Sequence, residues 1–488
     1  MNICIDAQPL QTAGSRTRGI GHYTRSQLNQ VLVLDKKNQY KLWLYDKNID
    51  SGIIENASLE NYYFNFGIDN FLLDSNVRDS LVASLIKKTI THQRADLIHF
   101  TSPFDQWNIF DTGWYSNIPT VATIYDLIPL IFKEVYLADP NSQKAYFQRV
   151  DFIKNLTRMM AISESVKEDL VNYLHIDPEK IDVIYGGIDN SFKKISISND
   201  EEYRLKNKFG INNEFVMCTG GADYRKNLEG LIKSFSMMSK EVLVQHQLVI
   251  VCKIDANYKK ALKDLAEKMG IGDKLVLTDY VTKDELIRLY NLAKAFAFVS
   301  LYEGFGLPIV EAMACGLPVI TSNNSSLREI AGDAALLVDP KNNKMIAQNI
   351  ERVLTDQFLR AKLIQKGFYQ REKFTWDKVA EKTIESYEKC MSSKTRVTHK
   401  TTSEKKRVAF FSPILPIKSG ISDYSEDLLP YLKKYGLEIE LFIDSYKPTS
   451  MSISHEFKIY DYKKFEEMNS QKDYDVIIYQ MGNSTTPT

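Results

Sequence analysis

A chain of 488 residues is too long for one hydrophobic core, and at about 150 residues per domain it should hold about two to four. Its 62 Lys/Arg cancel its 62 Asp/Glu, so no overall field draws it to nucleic acid or anionic lipid. With 44% hydrophobic and 25% charged residues it is not a disordered chain. The cysteines (Cys4, Cys218, Cys252, Cys315, Cys390) are scattered without a C-x-x-C pair, which argues against a disulfide framework or a zinc site. No basic stretch precedes a long apolar run at the N-terminus, and no run approaches the ~18 apolar residues of a spanning helix. The expectation is a cytoplasmic chain, at most peripheral at the inner face of a membrane.

Buried strands are predicted at Met1–Asp6, Lys41–Tyr45, Leu97–Phe100 and Val121–Ile124, with helical periodicity over 21–34, 77–93 and 142–157. After Gly186-Gly187 a second series follows, with strands at Glu214–Thr219, Gln247–Cys252, Lys274–Leu277, Ala295–Ser300, Pro318–Thr321 and Ala335–Val338. Short β-branched strands alternating with helices predict α/β domains with parallel sheets: 1–190, then 191–372, with a helix over 373–390 packing back on the first. Residues 391–406 are a basic, Ser/Thr-rich linker. From 407 to 488 the chain echoes its own beginning: Gly420-Ile421-Ser422-Asp423-Tyr424-Ser425 stands against Gly19-Ile20-Gly21-His22-Tyr23-Thr24, and YDVIIYQMGNS against ADLIHFTSPFD. This reads as an incomplete, divergent repeat of the first domain.

In open α/β sheets ligands lie at the carboxyl ends of strands. There Ser300-Leu301-Tyr302-Glu303-Gly304-Phe305-Gly306-Leu307-Pro308 forms a glycine loop opening a helix, with Pro308 suited to the first helical position and Glu311 one turn inside. The exposed amides and positive dipole end of that helix suit a phosphate, Gly304 and Gly306 let the backbone approach, and the two carboxylates suit sugar hydroxyls. Thr219-Gly220-Gly221-Ala222-Asp223-Tyr224 leads to the adjacent cations Arg225 and Lys226, placed to neutralise a leaving diphosphate. In the first domain Gly19-Ile20-Gly21 opens a helix, but Thr24 stands where a dinucleotide fingerprint has its third glycine, which argues against an oxidoreductase. Tyr125-Asp126 ends a buried strand, where a plain strand-end cap and a cleft contact are equally good readings. His99 reads as a satisfied core histidine. The stretch from Arg78 to Arg94 is amphipathic with a basic side; core packing is its ordinary explanation, and contact with a membrane surface carrying a lipid-linked acceptor the rarer one. The D-x-D of Asp473-Tyr474-Asp475 reads as a strand-start cap, and no other metal motif is present in the sequence.

The segments GIGHYT, YDLIPL, AISESVKEDL, VIYGGID, TGGADYRKNLEGLI, SLYEGFGLPIVEAMACGLPVI and SSLREIAGDAALLVDP resemble the retaining nucleotide-sugar glycosyltransferases of family 4 over residues 1–388. That resemblance implies the GT-B fold, two Rossmann-like domains facing a cleft. It implies contacts of Glu303 with the transferred sugar, Glu311 with the ribose and Arg225 with Lys226 on the diphosphate. The backbone of Gly304, Phe305, Gly306 and Leu307 would support phosphate and sugar, beside Gly220 and Gly221. Tyr125 and Asp126, with Gly19 and Gly21, would face them from the first domain. Many members carry an arginine where Gly221 stands and His-Asp where Tyr125-Asp126 stands.

The implied reaction is metal-independent transfer of a hexose with retention of anomeric configuration, to a glycan or lipid-linked glycan, in surface polysaccharide synthesis. GDP-mannose is the first expectation for the donor and UDP-glucose the second, with no further cofactor. The alternative is a catalytically silent GT-B module that binds or chaperones another transferase.

Overall fold

The computed structural model describes residues 1–44, 46–63, 93–105, 118–392, 406–472 and 474–480. Among them three parallel sheets follow one another along the chain.

The first sheet has the order β3-β2-β1-β4-β5-β6-β7, from β1 (Asn2–Asp6), β2 (Gln39–Leu44), β3 (Leu59–Tyr63), β4 (Leu97–Phe100), β5 (Thr120–Ile124), β6 (Arg158–Ala161) and β7 (Ile181–Val183). β1 pairs with β2 on one side and β4 on the other, Cys4 lying between Lys41 and Ile98. Strands covered on both faces can be apolar throughout, which is why β4 and β5 were readable without alternation. β3, β6 and β7 are not among the predicted strands, although Met159, Met160 and Ala161 give β6 a buried apolar run of its own. Tyr45 and the helix predicted over 77–93, with the Arg78–Arg94 stretch, lie outside the described residues, apart from Gln93 and Arg94 at its end. Helix α1 (Gly19–Leu34) begins two residues before the predicted start. Helix α2 (Pro140–Lys154) begins earlier than predicted because Asp139 caps it, accepting from the Ser142 amide at 2.8 Å. Helix α3 (Glu164–Leu174) follows β6 and is capped by Ser163.

The second sheet has the order β10-β9-β8-β11-β12-β13, from β8 (Glu214–Thr219), β9 (His246–Val251), β10 (Leu275–Leu277), β11 (Ala295–Phe298), β12 (Val319–Ser322) and β13 (Ala335–Val338). β8 neighbours β9 on one side and β11 on the other. The order therefore reverses between β8 and β11, and the chain leaving each is delivered to one crevice. Helix α4 (Leu228–Phe235) follows β8, α5 (Leu307–Ala314) follows β11, and α6 (Ser325–Ala331) follows β12.

After the second sheet, helix α7 (Trp376–Ser392) returns to pack on α1, β4, β5 and β6. Asp182 holds it there, accepting from Arg158 (2.6 and 2.9 Å), Ser386 (2.7 Å) and Lys389 (3.0 Å). His99 is fully buried and paired at both ring nitrogens, with Tyr387 and with Thr123, each at 2.9 Å. It is part of this interface and not of a site.

The third sheet has the order β16-β15-β14-β17, from β14 (Arg407–Phe411), β15 (Glu438–Ile443), β16 (Lys458–Asp461) and β17 (Val476–Tyr479), with helix α8 (Gly420–Lys434) after β14. This repeats the order β3-β2-β1-β4. The cap reading of the D-x-D is visible at Asp475, which accepts from the Arg407 amide at 2.8 Å; Asp473 lies outside the described residues. Among the described residues no helix is long and apolar enough to cross a membrane.

Candidate functional site

The chain leaving β8 turns through Gly220 and Gly221 into a single 3₁₀ turn, Tyr224–Lys226, so Arg225 and Lys226 stand just ahead of α4 and not on it. Asp223 caps that turn, accepting from the Arg225 amide at 3.1 Å. Asn227 ends it at φ 54° and donates to the carbonyls of Val299 (3.0 Å) and Pro340 (2.8 Å), tying the turn to the neighbouring loops. A Cβ at Gly221 would meet nothing within 4 Å, so this position stays open toward the cleft.

The loop after β11 is held by its own small polar residues. The Glu303 amide donates to Ser325 at 3.1 Å, and Ser326 donates to the carbonyls of Glu303 and Phe305 at 2.8 and 2.9 Å. Gly306, at φ 99°, makes the turn into α5, a conformation an L side chain would strain. α5 starts at Leu307, which moves Pro308 to its second position.

Glu303 is 6% exposed and meets both cations: Arg225 Nη1 at 2.5 Å and Lys226 Nζ at 2.7 Å. Burial alone would raise its carboxyl, but Lys226 and Arg225 hold it below the ordinary value, so it stays ionised. Lys226 Nζ also lies 5.0 Å over the Phe298 ring. Glu311 is anchored separately, accepting from Tyr290 at 3.0 Å. The two carboxylates are thus unequal: one is neutralised by cations, the other sits against a phenol in a poorly hydrated place.

From the first lobe, Asp126 accepts from the Ile128 amide at 3.0 Å, which makes it a cap as well as a neighbour of the cleft. Burial raises its carboxyl despite that bond and Arg225. Tyr125 bonds Thr24 at 2.9 Å, its phenol committed inside the lobe. The main-chain oxygen of Tyr125 lies against Gly304: a Cβ there would come within 2.1 Å of it and 3.1 Å from the Asp126 Cβ. Ser163 donates to the Gly304 carbonyl at 2.7 Å, and Phe305 abuts Gly186. The lobes therefore touch at the glycine loop. A Cβ at Gly21 would meet the Ser15 carbonyl at 2.4 Å, so tight packing of the preceding loop accounts for that glycine, while Gly19 faces open space.

Several neighbours were not among the residues picked from the sequence. Tyr136 of the first lobe donates to Asp223 of the second at 2.6 Å, and Tyr302 bonds Asp169. Glu329 of α6 accepts from the amides of Glu164 (3.0 Å) and Ser165 (2.9 Å), at the start of α3, and from Tyr185 at 2.9 Å. A cavity of about 430 Å³ opens in the first lobe beside Asp126, walled by Ile20, Phe104, Tyr136, Tyr146 and Arg149, with Phe104 and Tyr146 stacked at 4.9 Å. No spacing signals the others, because they come from separate segments; only Asp223, two positions before Arg225, and Tyr302, next to Glu303, lie inside the motifs.

Comparison with known proteins gives two family matches along the chain. Residues 56–192 match the family described as Glycosyltransferase Family 4, and residues 199–370 the family described as Glycosyl transferases group 1. The chain is 28% identical over 416 residues to "Serotype-specific mannosyltransferase WbdA" of Escherichia coli, covering 80% of this chain and 48% of that one. It is 33% identical over 177 residues to "O-antigen chain mannosyltransferase B" of Escherichia coli, covering 36% and 45%. The chain thus spans less than half of the length of either relative. Among solved structures, sucrose-phosphate synthase from Thermosynechococcus elongatus superposes with a TM-score of 0.61 at 18% identity, over 81% of this chain and 100% of that one.

Proposed function

We propose that this chain, whose residues 56–192 and 199–370 match the Glycosyltransferase Family 4 and Glycosyl transferases group 1 families on a GT-B fold, transfers a hexose from a nucleotide-sugar to a glycan or lipid-linked glycan in surface polysaccharide synthesis. The observation that carries the reading is Glu303 gripped by Arg225 and Lys226 beside the glycine loop, where the two lobes meet. The names of the similar proteins, a serotype-specific mannosyltransferase and an O-antigen chain mannosyltransferase, support mannose as the sugar, and GDP-mannose is the donor we propose for it.

In this reading the donor diphosphate lies at the amides that open α5, close to Arg225 and Lys226. As the bond from the sugar C1 to the diphosphate oxygen breaks, the charge gathering on that oxygen meets the two cations and the positive end of the helix. Glu303, kept ionised between cations, is suited to hold the sugar and to balance the charge of the free site, and Glu311 to accept from the ribose. The acceptor enters from the cavity beside Asp126 and reaches the face that the diphosphate leaves, giving retention. Closure of the lobes at Gly304 limits the access of water, so hydrolysis of the donor is a slow side reaction of transfer.

The test is a thermal-shift panel of GDP-, UDP- and dTDP-sugars. Any ligand that binds only the folded protein raises Tm by mass action, so GDP-mannose should stabilise the chain most. A response to another donor would correct the sugar, a response to none would favour a silent module, and a response to NAD(P) instead would overturn the reading.

A further inference from the structure

Arg225, one of the two cations placed beside the proposed leaving group, is not positioned by its own lobe alone. Asp223 grips it twice, through the Arg225 amide at 3.1 Å and Nε at 3.3 Å, while the far end of the guanidinium reaches Glu303 at 2.5 Å. The same Asp223 oxygen that takes the amide also accepts from the Tyr136 hydroxyl at 2.6 Å, and Tyr136 belongs to the opposite lobe. Beside it Phe132 packs edge-on against both Tyr224 and Tyr302, at ring separations of 6.5 and 6.2 Å, so the segment 132–136 is wedged between the turn that carries the cation and the loop that carries Glu303. The ring of Tyr136 also walls the cavity beside Asp126. Burial and then the Asp223 carboxylate both keep the phenol protonated, so it is the donor in this bond.

We infer that Tyr136 is a positioning residue: resting on the proposed transfer reaction, its hydroxyl fixes Asp223 and through it the guanidinium of Arg225, so that the leaving-group cation is aligned only when the lobes are closed. A carboxylate with one partner fewer can rotate, and a charged group that must find its orientation during the reaction stabilises the transition state less than one already aligned. Donor binding, by contrast, draws on the second lobe and does not need this bond. The effect should therefore fall on kcat and spare KM.

The experiment is hydrolysis of GDP-mannose by the full chain, followed by release of GDP, with UDP-glucose in its place if the donor panel selects it. Tyr136→Phe removes only the hydroxyl and should lower kcat about tenfold with KM within about twofold. Tyr185→Phe, which removes another cross-lobe hydroxyl, one bonded to Glu329 and not to Asp223, should change kcat less than about twofold. Asp223→Asn should lower kcat at least as much as Tyr136→Phe, and the double variant no further, because both act along one path. Equal losses from Tyr136→Phe and Tyr185→Phe would reduce Tyr136 to one latch among several and overturn the inference, as would losses that multiply in the double variant. Wild-type protein that hydrolyses neither donor would remove the reaction itself, and the inference with it.

Discussion

Glu311 and Tyr290 are joined by a hydrogen bond of 3.0 Å at the base of the cleft, with the carboxylate accepting. Burial pushes the Glu311 carboxyl up to about 7, against the opposing pull of that bond, from an ordinary value of 4.5. The folded chain therefore holds a proton that the unfolded chain has released between those values, and stability falls as pH rises from about 4.5 through about 7. Glu311→Gln keeps the shape without the charge. Its stability relative to wild type should rise from about pH 5 to about pH 8 by on the order of 2 kcal/mol, read by urea unfolding; a difference independent of pH would show that Glu311 stays ionised throughout.

Lys226→Met leaves Glu303 one cation, so folding should lose only about 1–2 kcal/mol. Transfer should fall on the order of 10²- to 10³-fold, because in the proposed reaction the lost charge faces the leaving group. Glu303→Gln should show the same imbalance. Turnover and stability falling in proportion in either variant would mean that the cluster is structural.

Gly304→Ala places a methyl group where the Tyr125 carbonyl oxygen would lie 2.1 Å away. The clash is between lobes and not within one, so each sheet should fold as before, with unchanged far-ultraviolet circular dichroism. X-ray scattering should report an increased radius of gyration, and transfer should fall by about 100-fold or more as the reacting groups separate. Scattering identical to wild type would mean that the lobes do not need this approach.

Asp182 is held down to about 2; its burial pushes the other way, but the bonds from Arg158, Ser386 and Lys389 override it. Its contribution is fully present above the ordinary value of 3.8 and is lost as pH falls toward about 2. Asp182→Ala should cost on the order of 2 kcal/mol at neutral pH, and the gap from wild type should narrow once the medium is more acid than about pH 4. A gap that stays constant down to about pH 3 would show that packing, not charge, anchors α7.

The legible parts of this molecule are those fixed by local chemistry. Strands such as Leu97–Phe100 and Thr120–Ile124 are buried on both faces and mostly apolar, and the glycine loop from Ser300 to Leu307 carries its own spacing, so fold class and the Glu303, Arg225 and Lys226 constellation could be read in one dimension. β3 lies half-exposed at a sheet edge and β7 has three residues, too few for a period to show. The helix starts moved because caps decide them: Asp139 for α2, and the tight loop at Ser15 behind Gly21 for α1. Tyr136, Asp169 and Glu329 escaped because each matters through a partner on the other lobe.

The return of α7 to the first lobe also decides what travels with what. The polypeptide enters the second lobe after Gly187 and comes back at Trp376, whose ring packs over that glycine, and it departs from Ser392 on the surface of the first. Although the third sheet follows the second lobe in sequence, the last described residue before its linker, Ser392, stands on a helix packed against the first lobe. A motion of the second lobe against the first would therefore leave α7, and with it the point from which the chain continues toward the third sheet, on the first lobe.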